Sequence, residues 1–240
     1  MKYNFYVLLA SVSLLTGCGK DRETQPALVG SFEAEAVIKP APIMMYTSTG
    51  MVDNQMLVDK FLARRNRNAG TYFSRVEVPL PTTQSLILAF RGNNRVTLLD
   101  KGPTRTDSIQ TDVTSQSSQR LVLAQKDSVV ILQGSSTDRA EQLSGMMQLE
   151  QPGQRCQILP PSSGIPSLYC RVRTIRVITR HNGQLFLPQL SWLIQTSTAY
   201  ATSYWAYKGV QNTFNSAVIN QLVAGDTLVV QAREIPFLKK

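Results

Sequence analysis

The chain has one histidine and three cysteines in 240 residues. A single imidazole and three thiols exclude multi-histidine metal sites and zinc fingers, so neither a metal nor a cofactor is expected. No Walker loop, Gly-x-Gly-x-x-Gly, EF-hand, Gly-x-Ser-x-Gly or Cys-x-x-Cys pattern occurs. Charged residues supply only 17% of the chain, and Ser, Thr, Gln and Asn stand in their place. Helical enzymes are usually richer in Glu, Lys and Ala, so this balance leans towards β-structure. What is present is a 42% hydrophobic fraction, enough for a packed core, and a formal charge of +9. Collagen-like, coiled-coil and wholly disordered chains are excluded by that composition.

The chain also lacks an apolar run long enough to cross a bilayer as a helix. Phe5 to Leu15, eleven residues, would cover only ~16 Å of a ~30 Å hydrocarbon core. Preceded by Lys2 and followed by small residues, the run reads as the apolar part of an export signal. Leu15-Thr16-Gly17-Cys18 resembles the lipobox of bacterial lipoproteins, in which a dedicated peptidase cuts before a diacylglycerol-modified Cys. The resemblance covers only this targeting segment. It implies a signal peptide over 1–17 and lipidation of Cys18; composition then gives a tether over 18–29, the cysteine included, and a single β-rich domain over 30–240. Lipid chains on one cysteine would give a stable anchor. The expected location is the bacterial cell envelope, at the outer membrane and facing either the periplasm or the surface. Lys20-Asp21-Arg22-Glu23 resembles the charged tag that sends some lipoproteins to the outer cell surface, and a generic charged linker explains it equally.

With Cys18 committed to lipid, Cys156 and Cys170 remain. Thirteen residues lie between them, including Pro160, Pro161, Gly164 and Pro166. In an oxidising compartment this pair favours a disulfide, worth ~3 kcal/mol for a loop of that size, with two separate thiols as the alternative.

From Gly30 onwards, apolar residues recur with period two. Alternation predicts strands at Phe32–Ile38, Tyr72–Val78, Leu86–Phe90, Val96–Leu98, Ser167–Thr179, Gln184–Thr196, Ala199–Tyr207 and Thr227–Ala232. Arg120–Ala124 and Ser128–Gln133 read as a hairpin about Lys126-Asp127. Asn182-Gly183 is the clearest two-residue turn. Pro103–Arg120 reads as a long exposed loop or a polar edge strand. One main helix is predicted over about 54–66, with Asp53 as its cap and Arg64 and Arg65 at its end. A shorter helical turn fits Arg139–Ser144. The fold class is mainly β: an antiparallel barrel or sandwich of about nine to eleven strands with one main helix. Leu28-Val29-Gly30-Ser31-Phe32 resembles the Gly-x-Trp opening of lipocalin-like barrels, with hairpins following at Leu86–Leu99 and Leu121–Leu132. Phe32 replaces the Trp and the helix comes early. That resemblance implies a barrel enclosing an apolar cavity of several hundred Å3.

Chemistry-bearing residues are sparse. His181 opens the Asn-Gly turn, where a solvated side chain is expected, and Glu33, Glu35, Glu141, Glu150 and Asp226 show no acid/base spacing. No catalytic residue is assigned. Arg171, Arg173, Arg176 and Arg180 crowd one strand; alternation puts the first two on one face and the last two on the other, which implies a bulge near Thr174–Ile175. Arg64, Arg65 and Arg67 form a second cluster. Trp192, Tyr200, Tyr204, Trp205 and Tyr207 fall within sixteen residues. The candidate ligand-binding residues are Arg171, Arg173, Trp205 and Tyr207, a cationic edge and a stacking surface. The competing readings are a solvated edge and ordinary packing. The expected function is a non-enzymatic binding or interaction module, its partners a membrane reached through lipid and an anionic glycan or lipid headgroup. Export removes it from nucleic acid. A lipocalin-like carrier of a small apolar ligand is one alternative, and a secreted hydrolase another. The oligomeric state is left open.

Overall fold

The chain is described by a computed structural model covering residues 28–65, 72–80, 85–92, 94–133, 138–151, 154–159, 167–197 and 202–240. The signal segment, Cys18, most of the tether, Arg67, Tyr200 and residues 160–166 lie outside the described residues.

Alternation is the organising force. On β6 (Ser85–Phe90), Leu86, Leu88 and Phe90 point one way, as do Val96 and Leu98 on β7 (Arg95–Lys101). The same holds for Leu121 and Leu123 on β9 (Arg120–Gln133), Ile178 on β11 (Ser167–His181) and Leu185 and Leu187 on β12 (Gln184–Ser197). Ile235 and Phe237 on β14 (Thr227–Lys239) and Phe32 on β1 (Gly30–Ala34) complete one apolar cluster. These strands, with β8 (Thr106–Gln116), close into an eight-stranded antiparallel barrel in the order β1-β6-β7-β8-β9-β11-β12-β14. Each barrel strand neighbours the next in chain order, an up-and-down arrangement. The ends of the domain seal it, with Phe32 opposite Lys239 and Ala34 opposite Phe237. Eight strands leave a lumen just wide enough for side chains to fill, and here Leu88, Leu123, Leu187 and Phe237 are almost wholly buried in it. Phe32 meets Phe90 edge-to-face at 5.6 Å.

Three expectations are corrected. Pro103–Arg120 is neither a loop nor an edge. Its β8 segment is an inner member of the barrel, paired with β7 and β9. Ile109, Thr111 and Val113 suffice for its inward side, because the Thr111 hydroxyl donates to the Val96 carbonyl at 2.9 Å. Lys126-Asp127 is not a turn, and β9 runs through it for 14 residues. A tight hairpin needs positive φ at its centre, which Asn182 (50°) and Gly183 (80°) supply between β11 and β12 and a Lys-Asp pair does not favour. Tyr72–Val78 is mostly irregular, and only β5 (Val78–Pro79) pairs, with β2 (Val37–Pro40). The backbone of Ser74 is claimed instead by Gln231 of β14, whose side chain accepts from its N–H at 2.9 Å and donates to Ala41 O at 2.8 Å.

β2, β5 and the hairpin of β3 (Met44–Thr47) with β4 (Gly50–Met51) are short additions between the first two barrel strands. Within the same insertion, α1 (Gln55–Arg65) buries Val58 against Met45, Phe73, Leu193 and Val229. Its cap is Asn54 rather than Asp53, with Asn54 Oδ1 accepting from the N–H of Met56 at 3.0 Å and of Leu57 at 3.3 Å. A second helix, α2 (Arg139–Gly145), is capped by Asp138 and packs Ala140 and Leu143 on the opposite face of β12 and β14, beside Trp192 and Val230. A 3-10 turn at Ser216–Gln221 adds Val218 to that cluster.

Candidate functional site

The barrel wall is interrupted on one flank. β11 and β12 form only three residue pairs, Thr179 with Phe186, Arg180 with Leu185 and His181 with Gln184. Beyond them β12 takes β13 (Thr202–Val210) as its neighbour. The far end of β11, Ser167–Val172, is instead flanked by β10 (Gln154–Leu159). Between those stretches, among the described residues, the β11 backbone is bridged on this side where the Val177 N–H donates to Gln211 O at 3.1 Å. A slot of about 400 Å3 opens there, lined by Gln148, Val172, Thr174, Ile175, Arg176, Gly209, Val210 and Gln211.

A bulge sets the chemistry of this slot. The register of β11 against β9 shifts between Arg173 and Ile175, at the place the switch of arginine faces implied. Past the bulge, Arg176 pairs with Leu123 and Ile178 with Leu121, so Arg176 shares the inward side with the apolar core. Its Nε donates to Gln211 Oε1, while Nη1 is buried and has no partner. Burial holds the Arg176 guanidinium below its usual pKa, because charge is poorly solvated there.

A second arginine lies behind the slot. Gly209 occupies positive φ (71°), where a side chain would be strained, and its N–H donates to Ser191 Oγ at 3.2 Å. The same oxygen accepts from Arg233 Nη2 at 2.9 Å. Arg233 is only 4% exposed, its Nε lacks a partner, and burial lowers its pKa too. Ion pairs elsewhere engage Arg75, Arg120, Arg139 and Lys240 with Asp59, Glu150, Asp226 and Glu33. Among the described residues neither Arg176 nor Arg233 has such a partner.

Arg171 and Arg173 are exposed and, by alternation, point away from Val172 and Thr174, so they do not line the slot. Trp205 and Tyr207 do share a face, opposite Ile194 and Trp192. That face is the one α2 packs against: Trp205 is half-buried there, and Tyr207 stacks on Trp192 at 5.3 Å. Among the described residues no contact joins the two arginines to the two aromatics. Tyr204 receives the Arg65 guanidinium at 4.6 Å from its ring centroid. Cys170 is buried and disulfide-bonded, and the β10–β11 register sets Cys156 directly opposite it, at the rim beside the slot.

His181 is exposed at its turn, 3.7 Å from Glu234 and beside the ring of Phe186. Glu33, Glu35, Glu150 and Asp226 are taken up in four separate ion pairs, with Lys240, Lys39, Arg120 and Arg139. Among the described residues no cluster of His, Cys, Asp and Glu is placed to hold a metal ion. Sequence reasoning missed Gly209, Gln211 and Arg233 as parts of one site. The face switch at Thr174 was the available signal for Arg176. No known protein family matches the chain, and no characterised protein or solved structure matches it.

Proposed function

We propose that this protein is a lipid-anchored, non-enzymatic binding module of the bacterial cell envelope, held to the membrane by Cys18 and taking its ligand in the slot between β11 and β13. The observation that carries this reading is the position of the slot. Leu28, where the tether meets the domain, packs with Phe90, Gly92, Asn94 and Leu121 at the end where the β6–β7 and β8–β9 turns lie. Thr174 is seven residues along β11 from His181, the turn residue at that same end, or ~23 Å at strand rise. A tether leaving from Leu28 therefore presents the slot away from the lipid surface.

An eight-stranded up-and-down barrel also suits a lipocalin-like carrier. The filled lumen argues against an apolar cargo, since the space at the tethered end is only about 50 Å3. Gln148, Arg176 and Gln211 give the larger slot a polar lining, which favours a polar ligand over a greasy one. A disulfide between Cys156 and Cys170 would hold the rim of that slot in shape.

Two measurements test the reading. Cys18→Ala should move the protein from the membrane to the soluble fraction and abolish the mass added by acylation; a variant that stays membrane-bound overturns the anchor. Native mass spectrometry of protein drawn from its own envelope should reveal a bound small molecule. Thr174→Trp, which fills the slot from an exposed position, should lose it. Retention of that molecule by Thr174→Trp, or its absence from the unmodified protein, overturns the slot as the binding site.

A further inference from the structure

We infer that the slot recognises an oxyanion, a carboxylate, phosphate or sulfate group of its ligand, with the Arg176 guanidinium making the contact and Arg233 adding a second positive charge behind the wall. The inference rests on the slot being the binding site and names what it binds. Its foundation is a contrast within the molecule. Some arginines on the outside of the domain have carboxylate partners, as Arg75 has Asp59 and Arg120 has Glu150, and others, such as Arg171 and Arg173, are exposed to water. The two arginines turned inward at the split flank have only neutral ones, Gln211 for Arg176 and Ser191 for Arg233. Each also keeps one buried N–H without an acceptor, as does Arg180 nearer the turn of β11.

Such an arrangement is costly. A buried guanidinium without a counter-charge has lost its water and gained little in return. Among the described residues no aspartate or glutamate lines the slot. Depressed pKa values at both arginines reflect that desolvation, which an incoming anion would relieve. The chemistry fits in detail. Gln211 ties down Nε and so orients the guanidinium plane at the slot wall, where Nη1 is buried and without an acceptor. Thr174 and Gln148 add a hydroxyl and an amide to the same lining. The Gly209 N–H and Arg233 Nη2 both donate to Ser191 Oγ, so the charge of Arg233 lies two hydrogen bonds behind the slot wall rather than in contact with the ligand.

Titration calorimetry and thermal unfolding with sodium phosphate, sodium sulfate and sodium acetate, against sodium chloride at equal ionic strength, provide the test. The unmodified protein should show saturable binding and a saturable rise in Tm with at least one oxyanion. Preference for acetate over phosphate would identify a carboxylate ligand, and the reverse a phosphate or sulfate. Arg176→Gln should weaken that binding by about tenfold or more, the scale of one charge-assisted hydrogen bond. It should also unfold at the same urea concentration as the parent or a higher one in anion-free buffer. Arg171→Gln with Arg173→Gln should keep the affinity within about twofold, since those side chains lie off the slot. Arg176→Lys keeps the charge and loses the fork, and should bind more weakly than the parent yet more tightly than Arg176→Gln. An equal Tm rise in chloride, or an anion affinity unchanged in both Arg176 variants, overturns the inference. If Thr174→Trp expels the native ligand while the Arg176 variants still bind oxyanions normally, the slot survives as the site and only the oxyanion assignment fails.

Discussion

The end of the barrel beside Leu28 and its split flank are built from the same strands and solve opposite problems. Near its turn, β11 has full neighbours on both sides, and the lumen beside it is packed with Leu185, Leu187 and Phe237. A few residues earlier it has lost β12, carries a bulge and turns Arg176 into a slot. Continuous ladders with apolar filling give rigidity and leave no room for a ligand. Interrupting a single ladder creates both the space and an inward cation, while β9 holds the other edge of β11 in place.

The sharpest way to break this comparison is to unpack each region in turn. Phe237→Ala removes a fully buried ring from the end beside Leu28 and should cost about 4 kcal/mol, read as a fall in urea midpoint at unchanged slope. Thr174→Ala at the slot should stay within about 0.5 kcal/mol, and a comparable loss at both positions would erase the distinction.

Next in size is Arg139→Ala. Its partner Asp226 has a side chain only 1% exposed and also receives the Val223 N–H at 3.0 Å. Stranding that carboxylate should cost about 3 kcal/mol, and Asp226→Asn in the same background should recover part of it. Ion pairing, on this view, is a structural device away from the slot.

Arg233→Met sharpens the contrast by going the other way. Ser191 would still accept from Gly209, so an apolar chain of similar length should leave stability unchanged or raise it by up to about 2 kcal/mol in urea unfolding. A marked loss would recast Arg233 as a structural residue.

The smallest effect concerns acid. The Ser203 hydroxyl above all, then the N–H groups of Ala140 and Glu141, hold the Asp138 carboxyl below its usual 3.8. A folded-state pKa below the unfolded one adds stability that is present above that value and fades as pH falls through it. Ser203→Ala should therefore lower stability slightly at pH 7 and reduce the further loss on going to pH 3, with the two proteins converging in strong acid. Urea midpoints at the two pH values would show it.

What the sequence made legible follows from where information is local. Asn182-Gly183 named its turn because positive φ is a property of those residues. The 54–66 window contained α1, and Arg139–Ser144 covered all of α2 but its last residue, because apolar spacing lies within a few residues, although the cap of α1 is Asn54 and not Asp53. The bulge at Thr174 could be inferred from arginines changing faces. Which of the two faces was inside could not, since that depends on Leu121 and Leu123 across the ladder. β8 was obscure for a related reason: only one of its sides is enclosed, and Thr111 fills an apolar role by bonding to a neighbour's carbonyl. The slot was least visible of all. It arises from a three-pair ladder and a displaced β13, and neither leaves a mark in the order of residues.

The seam between β1 and β14 also dictates timing. Lys239 and Phe237 must be synthesised before Phe32 and Ala34 gain their partners, so the cylinder shuts only when strands far apart in the chain have both been made. Until they meet, both strands offer raw edges, and a cylinder sealed by so distant a pairing shuts slowly.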